Sequence, residues 1–339
     1  FLDLLLAHGT TTAAAFCSVH PQSAEALFAA AGSRNMAMVA GKVMMDRNAP
    51  PAVLDTPQQG YDDSKALIEK WHRHGRQRYA ITPRFAITST PEQLAMTGQL
   101  AREYPDCHIQ THLSENHDEI AYTLSLYPQA RDYLDIYESF GFLSDKLLLG
   151  HSIHLHPREI ARMAETGTRA IFCPTSNLFL GSGLFDEAGL RARGISAGIA
   201  TDIGGGTSYS MLQTLNEGYK VLQLRGQRLF GVMAAQGQHI GRRHLEIGRG
   251  AHLAHRDRVA VQVGVMDIGA QKHVGQGAAD QFPHAKLPLR GAGAGMKTVL
   301  CHGRRCRGSR RGPQRDRTAR KGIWTWTNRE LSSRAPRGA

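Results

Sequence analysis

The sequence predicts an α/β fold in which parallel strands curl into a barrel. Over the first 205 or so residues, short apolar or β-branched runs alternate with amphipathic helical segments, which is the pattern of a parallel α/β sheet. Polar side chains follow the ends of several of these runs. Because barrels of this class have eight strands and carry their chemistry at the carboxyl ends of the strands, we expect a functional site at those ends.

The predicted elements follow one another in order along residues 1–202. Predicted strands cover residues 10–16, 36–43, 79–83, 107–111, 146–151, 169–174 and 195–202. Predicted helices cover residues 1–9, 23–31, 64–75, 117–140 and 157–165, and another begins at Pro91. Leu67, Ile68 and Trp71 share one face of the third helix. Thr90 supplies an N-cap directly before Pro91, which suits the first helical position. The seven strands are one fewer than a closed barrel requires.

The net charge differs between two parts of the chain. The whole chain carries a formal charge of +12 at pH 7. Residues 1–229 contain 20 Lys and Arg against 23 Asp and Glu, whereas residues 230–339 contain 21 against 6. The first part is therefore slightly acidic and the second strongly basic, without a sustained helical or strand period except at 259–265. We predict that 230–339 is a basic tail of low order rather than a native domain.

The cysteine content and the hydropathy bear on the compartment. Five cysteines form no CxxC pair and no even disulfide framework, which predicts a reducing, cytoplasmic location. No stretch of about 18 or more uncharged apolar residues is present, which argues against a membrane-spanning helix. The first nine residues lack a basic n-region and predict a helix rather than a signal peptide.

The predicted strand ends carry the residues that point to chemistry. The fourth strand runs into His112, with Glu115 three residues later, the fifth ends at His151, and the seventh ends at Asp202. Imidazoles can hold a divalent ion, and a nearby carboxylate can move protons. Each residue also has a structural interpretation: His112 could be a hydrogen-bonded polar residue, His151 could cap a strand, and Asp202 could brace the glycine-rich turn after it. The three strand ends together favour a metal-assisted hydrolase.

Several segments together resemble a known family. These segments are 82–85 (TPRF), 110–116 (QTHLSEN), 149–152 (LGHS), 173–177 (CPTSN), 200–202 (ATD) and 202–206 (DIGGG). They are similar to the metal and catalytic motifs of the amidohydrolase superfamily, in its deaminase and chlorohydrolase branch. The Pro-Arg-Phe element is similar to that of the members that deaminate guanine. The resemblance covers most of residues 1–229 and implies a (β/α)8 TIM-type barrel that hydrolyses guanine to xanthine and ammonia in purine catabolism.

The resemblance implies a role for each matching residue of the metal centre. His112 and Asp202 would be ligands of a zinc ion, and His151 would orient or polarise the attacking water. Zinc lowers the pKa of bound water to about 7. Asp202 would accept a proton from that water, and Glu115 would protonate the ring nitrogen beside the attacked carbon and then the departing amine. The catalytic residues would thus be Glu115, His151 and Asp202.

The resemblance also implies how the purine is held. Arg84 fits guanine because its fixed fork of donors matches two acceptors along one edge of the base, and Phe85 would pack against the base. The alternatives are an interdomain ion pair for Arg84 and a barrel core position for Phe85. The full set of residues expected to contact substrate is Arg84, Phe85, His112, Glu115 and Asp202.

The chain departs from the family pattern at its start. Family members carry a His-x-His pair of zinc ligands at the end of the first barrel strand, and the corresponding segment would precede Phe1. We therefore expect residues 1–229 to form an amidohydrolase barrel fragment that lacks its first strand and exposes an unpaired strand edge. We also expect well under one zinc ion per chain and a weak activity. The resemblance suggests a homodimer.

Other interpretations concern the tail and the substrate. The resemblance ends near Phe230, and we hypothesise that the tail is an out-of-frame translation; a reading of the coding DNA beyond codon 229 that yields no amidohydrolase-like continuation in any frame would refute this. The charge of the tail would also fit a nucleic-acid-binding module, although its few aromatic residues do not interleave with the basic run. A second enzymatic alternative is a related deaminase or chlorohydrolase that acts on cytosine, a triazine or an adenosine-like compound.

Overall fold

Parallel strands and helices alternate along the part of the chain that the structure describes. The computed structural model describes residues 1–227 and the backbone of Val263–Val265. The strands are β1 Thr12–Phe16, β2 Ala37–Gly41, β3 Val43–Met44, β4 Gln77–Pro83, β5 His108–Leu113, β6 Leu147–His151, β7 Arg169–Phe172, β8 Ala197–Ile199 and β9 Val263–Val265. The helices are α1 Leu2–Ala7, α2 Pro21–Ser33, α3 Pro57–Trp71, α4 Pro91–Glu103, α5 His117–Leu126, α6 Tyr133–Ser139, α7 Pro157–Thr166, α8 Pro174–Leu180, α9 Glu187–Ala192 and α10 Met211–Leu224.

All described strands join one parallel sheet. The strand order is β8-β7-β6-β5-β4-β2-β1-β9. The short strand β3 follows β2 in the chain and also pairs with β4. The sheet curls into part of a barrel, so the predicted α/β fold is confirmed. The edge of β1 is paired, because β9 lies parallel to it from Ala14 to Phe16, and the terminal strands of the described sheet are β8 and β9. The expected unpaired strand edge of the barrel stays a prediction. The other structural predictions for residues 230–339, including the low order of the tail, lie outside the described residues.

Alternate residues of a strand face two different apolar cores. Ala13 and Ala15 of β1 pack in the large core that also contains residues of the helices, whereas Ala14 and Phe16 pack in a smaller core of strand and loop residues. This alternation follows from the two-residue period of a strand. Because both faces of the sheet are covered, as is usual for parallel sheets, the carboxyl ends of the strands remain as the place for a site.

Three local predictions differ from the structure. The helical region predicted over 117–140 is two helices, α5 and α6, because Pro128 follows α5 and cannot continue its hydrogen bonding. The segment after β7, interpreted as the end of a strand, begins the helix α8 at Pro174. The predicted strand 195–202 contracts to β8. The N-cap predicted at Thr90 is confirmed, since its hydroxyl accepts a hydrogen bond from the Gln93 amide at 3.2 Å.

No helix among residues 1–227 is long and apolar enough to cross a bilayer.

A close approach between β2 and β4 requires glycine at position 41. A Cβ atom on Gly41 would lie 1.8 Å from the carbonyl oxygen of Ala80, so we expect Gly41→Ala to force the two strands apart. The expected loss in the free energy of unfolding is about 1–3 kcal/mol, measured by urea denaturation. Gly32→Ala on α2 is the matched control, because no described atom outside the adjoining residues and the backbone of its own helix lies within 4 Å of the place that its added methyl group would take. There we expect a gain of roughly 0.5–1 kcal/mol, and an equal loss at both positions would contradict the explanation.

Candidate active site

The predicted strand-end residues lie at one edge of the sheet. His112 is the penultimate residue of β5, His151 is the last residue of β6, and Asp202 follows β8. The register pairs Leu113 with His151, which brings the carboxyl ends of β5 and β6 side by side. The structure therefore brings together residues that are far apart in the sequence.

His112 is oriented by the main chain of Arg84, the residue that follows β4. Its Nδ1 lies 2.6 Å from the carbonyl oxygen of Arg84. Since a carbonyl can only accept, Nδ1 carries the proton and Nε2 keeps a free lone pair. Burial, followed by the charge of His151, lowers the pKa of His112 to about 4, so the ring is neutral at pH 7. A neutral imidazole that donates its other N–H to a carbonyl is the usual arrangement of a histidine that ligates a metal.

His151 lies between the two carboxylates of the site. Its Nδ1 is 3.5 Å from Oε1 of Glu115, and its Nε2 is 4.0 Å from Oδ2 of Asp202. The side-chain amide of Asn177 lies 2.8 Å from Nδ1 and donates to it, which leaves the ring proton on Nε2, facing Asp202. Burial lowers the pKa of His151 to about 3. The neutral ring with a proton on Nε2 is suited to orient a water molecule or an oxygen of the substrate.

Asp202 is a buried carboxylate without a cationic side chain close to it in the described part of the chain. Its residue exposure is 5%. Burial, and to a smaller extent the charge of Glu115, raises the pKa of Asp202 to about 7. A Cβ atom on Gly205 would lie 3.0 Å from Oδ2 of Asp202, and one on Gly206 would lie 1.9 Å from the carbonyl oxygen of Thr201. The glycines thus allow the turn to close tightly around the carboxylate.

Glu115 is held by its main chain and by its side chain. Its amide donates to Oε2 of Glu119 at 2.7 Å, within the capping box of α5. Its Oε1 accepts a hydrogen bond from the hydroxyl of Ser182 at 2.9 Å. Burial and then the charge of Glu115 raise the pKa of Glu119 to about 7. The carboxylate of Glu115 therefore points into the mouth of the sheet from a defined position.

The backbone is strained at this edge of the sheet. Four non-glycine residues there have positive φ angles, namely Ser114 at 48°, His151 at 66°, Ser152 at 50° and Asp202 at 47°. L-residues adopt this region at an energetic cost, and such residues concentrate at functional sites. The strain turns the chain sharply at the ends of three strands, which aims their side chains at a common point.

Arg84 and Phe85 lie beside this group. The guanidinium carbon of Arg84 is 5.8 Å from the centre of the Phe85 ring, and that ring lies 5.8 Å from the ring of His112. Arg84 also lines a small cleft that opens to solvent. The other lining residues are Phe16, Cys17, Ser18, Val19, Val43, Met45 and Val53. The lining is mainly apolar, with Ser18 and Arg84 as its polar members. Small-molecule sites use a few such polar groups to fix the orientation of a ligand.

The donor set fits a zinc ion. His112 offers the lone pair of Nε2, and the buried carboxylate of Asp202 lacks a compensating cation among the described residues. Zinc binds neutral imidazole nitrogen and carboxylate oxygen. A bound cation would also remove the cost of burying the Asp202 charge. These two side chains would supply two of the three or four ligands that a protein zinc site uses.

Two other groupings of possible metal ligands occur within residues 1–227. The ligand atoms of His151, Cys173 and Asp202 lie within 4.8 Å of one another, but burial raises the pKa of the Cys173 thiol. His72, Asp106 and Cys107 form the second grouping, at the opposite ends of the strands. There, Nδ1 of His72 already accepts from the amide of Tyr79 at 3.1 Å, and Nε2 contacts Asp106 at 2.9 Å. These hydrogen bonds explain why His72, Asp106 and Cys107 lie close together without a metal ion.

Sequence reasoning missed two residues that contact the site. Asn177 contacts His151, and Ser182 contacts Glu115. Asn177 stands in the CPTSN segment after β7, so its place at a strand end was a usable signal. Ser182 follows α8, which was not predicted, and it has no motif of its own. Its contact joins residues 67 positions apart.

Comparisons with known proteins identify several similar chains. Guanine deaminase of Escherichia coli (strain K12) is 56% identical over 229 residues, which cover 68% of this chain and 52% of that protein. A solved structure of E. coli guanine deaminase matches with a TM-score of 0.67 and 55% identity, over 67% of this chain and 53% of that one. A guanine deaminase from C. acetobutylicum, solved with guanine in its active site, matches with a TM-score of 0.65 and 29% identity, over 69% and 57%.

A more distant match shares the fold alone. Atrazine chlorohydrolase from Arthrobacter aurescens TC1, solved with zinc, matches with a TM-score of 0.54 and 21% identity, over 58% of this chain and 46% of that one. The chain spans between about half and two thirds of the curated relatives it matches. A probable guanine deaminase of Deinococcus radiodurans is 36% identical over 303 residues, which cover 89% of this chain and 64% of that protein, so the similarity extends beyond Phe230, where we expected it to end. The model of the amidohydrolase family matches residues 3–235. That match covers more than half of the chain, and the chain belongs to the amidohydrolase family.

Proposed function

We propose that this chain carries part of the active site of a zinc-dependent guanine deaminase, which hydrolyses guanine to xanthine and ammonia. The observation that carries the proposal is the contact of three proton-handling groups, with His151 3.5 Å from Glu115 and 4.0 Å from Asp202. The similarity to guanine deaminases over 229 residues supports guanine as the substrate. Zinc binding and the assignment of individual roles are part of the proposal.

His112 and Asp202 would hold the zinc ion. The chemistry that zinc supplies when bound is Lewis-acid activation of water. The tautomer of His112 leaves Nε2 available, and the near-neutral pKa of Asp202, about 7, suits a group that also accepts a proton. His151 directs its Nε2 proton towards Asp202, so it can orient the oxygen that attacks the ring carbon.

Glu115 would carry the proton to the leaving group. The attacking water gives one proton to Asp202 as the carbon–oxygen bond forms. Protonated Glu115 gives its proton to the ring nitrogen beside the attacked carbon. It then takes the proton of the hydroxyl group formed on that carbon and passes it to the amine, whose bond to carbon breaks as ammonia leaves, and the proton on Asp202 returns to Glu115. Both transfers require a carboxylate that is close to the metal site but not bound to the ion. Glu115 meets this requirement because its Oε1 contacts Ser182 and His151.

Arg84 would bind guanine through the donors of its side chain. The arginine fork matches two acceptors on one edge of the base, and a bidentate contact of this kind is lost when the side chain is removed. We expect Arg84→Ala to lower kcat/KM for guanine by about 10- to 100-fold. The zinc content should stay unchanged, because it is the main-chain carbonyl of Arg84 that contacts His112.

The experiment compares guanine with cytosine, a triazine and adenosine as substrates of the full chain, supplemented with zinc. Arg78→Ala is the matched control, since Arg78 is an exposed arginine on β4 that bonds to the carbonyls of Gly75 and Gln77. Turnover of guanine that depends on Arg84 and not on Arg78 supports the proposal. Turnover of another of these compounds in preference to guanine would refute it and favour the second enzymatic alternative.

The remaining expectations are unchanged by the structure. A homodimer, a cytoplasmic location and an out-of-frame origin of residues 230–339 stay predictions. A low zinc content and a weak activity of the chain also stay predictions, and elemental analysis of the purified chain measures the first of them. Stoichiometric, tightly held zinc would contradict that expectation.

A further inference from the structure

The hydroxyl of Ser182 lies at hydrogen-bonding distance from the residue that the proposed reaction uses to move protons. Its Oγ is 2.9 Å from Oε1 of Glu115, and both groups are largely shielded from solvent. The other described contact of Oε1 is Nδ1 of His151 at 3.5 Å. The side-chain amide of Asn177 donates to Nδ1 at 2.8 Å, so Nδ1 has no hydrogen to offer Oε1. The donor that reaches this oxygen is therefore the serine.

The main-chain amide and the main-chain carbonyl of Ser182 each make a hydrogen bond. Its amide donates to the carbonyl oxygen of Asn177 at 2.9 Å, and its carbonyl oxygen accepts from Nε2 of His154 at 2.7 Å. The next residue, Gly183, has a φ of 133°, and a Cβ atom there would lie 3.1 Å from the ring of His154. The backbone that carries the Ser182 hydroxyl therefore has little freedom to move.

A donor fixed in this way selects one position for a carboxylate. A charge-assisted hydrogen bond from a hydroxyl is among the stronger interactions of a side chain. With Oε1 engaged by Ser182, Oε2 is the oxygen left to face the substrate. Glu115 must serve two sites in turn, the ring nitrogen and the amine, so an error in its position would affect both transfers. The main chain of Glu115 is fixed separately, by Glu119.

We propose that Ser182 is a positioning residue that holds the carboxylate of Glu115 in the orientation required for proton transfer. The inference rests on the proposed function for its catalytic consequence, but the contact itself can be tested without turnover. The same segment carries Asn177, which fixes the tautomer of His151. One short stretch after β7 therefore contacts two of the three groups proposed to handle protons, His151 and Glu115.

The first test measures the contact directly. The chain is labelled with [5-13C]glutamate, and the carboxyl signal of Glu115 is assigned by its absence in E115Q. We expect this signal to move in S182A and in S182C, which fills nearly the same space with a much weaker donor, and to return towards its original position in S182T. Ser64→Ala, a fully buried serine on α3, is the control and should leave the signal in place. A Glu115 signal that stays in place in both S182A and S182C would overturn the proposal.

The second test measures the consequence. We expect S182A and S182C to lower kcat for guanine by about 10- to 100-fold, with KM and zinc content close to those of the parent and kcat largely restored in S182T. Unchanged kcat in an active parent background, or an effect on KM alone, would overturn the positioning role. If the parent does not turn over guanine, the proposed function fails, while the carboxyl signal still decides whether Ser182 holds Glu115.

Discussion

Replacing Glu115 by glutamine is expected to abolish most of the guanine turnover while leaving the metal in place. The amide has nearly the same shape as the carboxylate and can still accept from Ser182 through its oxygen, but it cannot give up a proton. Loss of a general acid or base typically costs about 10²- to 10⁴-fold in rate. We therefore expect kcat to fall by that amount, with KM changed little, in steady-state assays of the zinc-supplemented chain.

The control distinguishes the role of Glu115 from a general effect of charge. Glu165→Gln removes a carboxylate that is 59% exposed and paired with Arg162, so it should leave kcat within about twofold of the parent, since exposed ion pairs contribute little. Zinc is measured by elemental analysis in both variants. If E115Q lost zinc together with activity, Glu115 would be a ligand rather than a proton carrier, and the role given to it here would be wrong.

The positions of the strand ends could be predicted because parallel strands impose them. His112, His151 and Asp202 each follow or end a short apolar run, and carboxyl ends of parallel strands meet at one edge. The ring nitrogens of His151 lie 3.5 Å from the Glu115 carboxylate and 4.0 Å from the Asp202 carboxylate, as this rule predicts for neighbouring strand ends. The sequence pattern was sufficient here because strand direction and side-chain alternation leave few other arrangements.

The helices after β7 could not be predicted in the same way. The segment that forms α8 is only seven residues long and begins with Pro174, which can open a helix or end a strand. The break between α5 and α6 was missed because the helical composition continues past Pro128. In each case, the local sequence is compatible with two secondary structures. Tertiary packing determines which of them forms, and a single sequence does not show that packing.

The contacts that orient the side chains of the site could not be predicted from the sequence either. The hydroxyl of Ser182 meets Glu115 only because α8 and the turn after it return to the mouth of the sheet. Likewise, the tautomer of His112 depends on a carbonyl 28 residues earlier in the chain. The residue type at a strand end indicates what chemistry is possible there. The hydrogen-bond partner that orients this residue depends on the path of a loop, which the sequence does not show.

Replacing Asp202 by asparagine is expected to stabilise the metal-free chain and to prevent its stabilisation by zinc. The pKa of Asp202 is raised to about 7 in the folded state, against about 3.9 in an unfolded chain. A raised pKa means that the folded chain binds the proton more tightly, so this group favours folding fully below about pH 4 and loses that contribution as the pH rises to about 7. At pH 8 the buried charge is a cost, and asparagine removes it.

The measurement is urea unfolding in the presence of a chelator at pH 4, 6 and 8. We expect the free energy of unfolding of D202N to exceed that of the parent by roughly 2–4 kcal/mol at pH 8 and by little at pH 4. Asp145→Asn, at a carboxylate that is 64% exposed, should show no such pH-dependent difference. Added zinc should then raise the stability of the parent by mass action and leave D202N nearly unchanged. If D202N were instead the less stable chain at pH 8 without zinc, Asp202 would have a structural partner, and the buried carboxylate would no longer be a reason to expect a cation beside it.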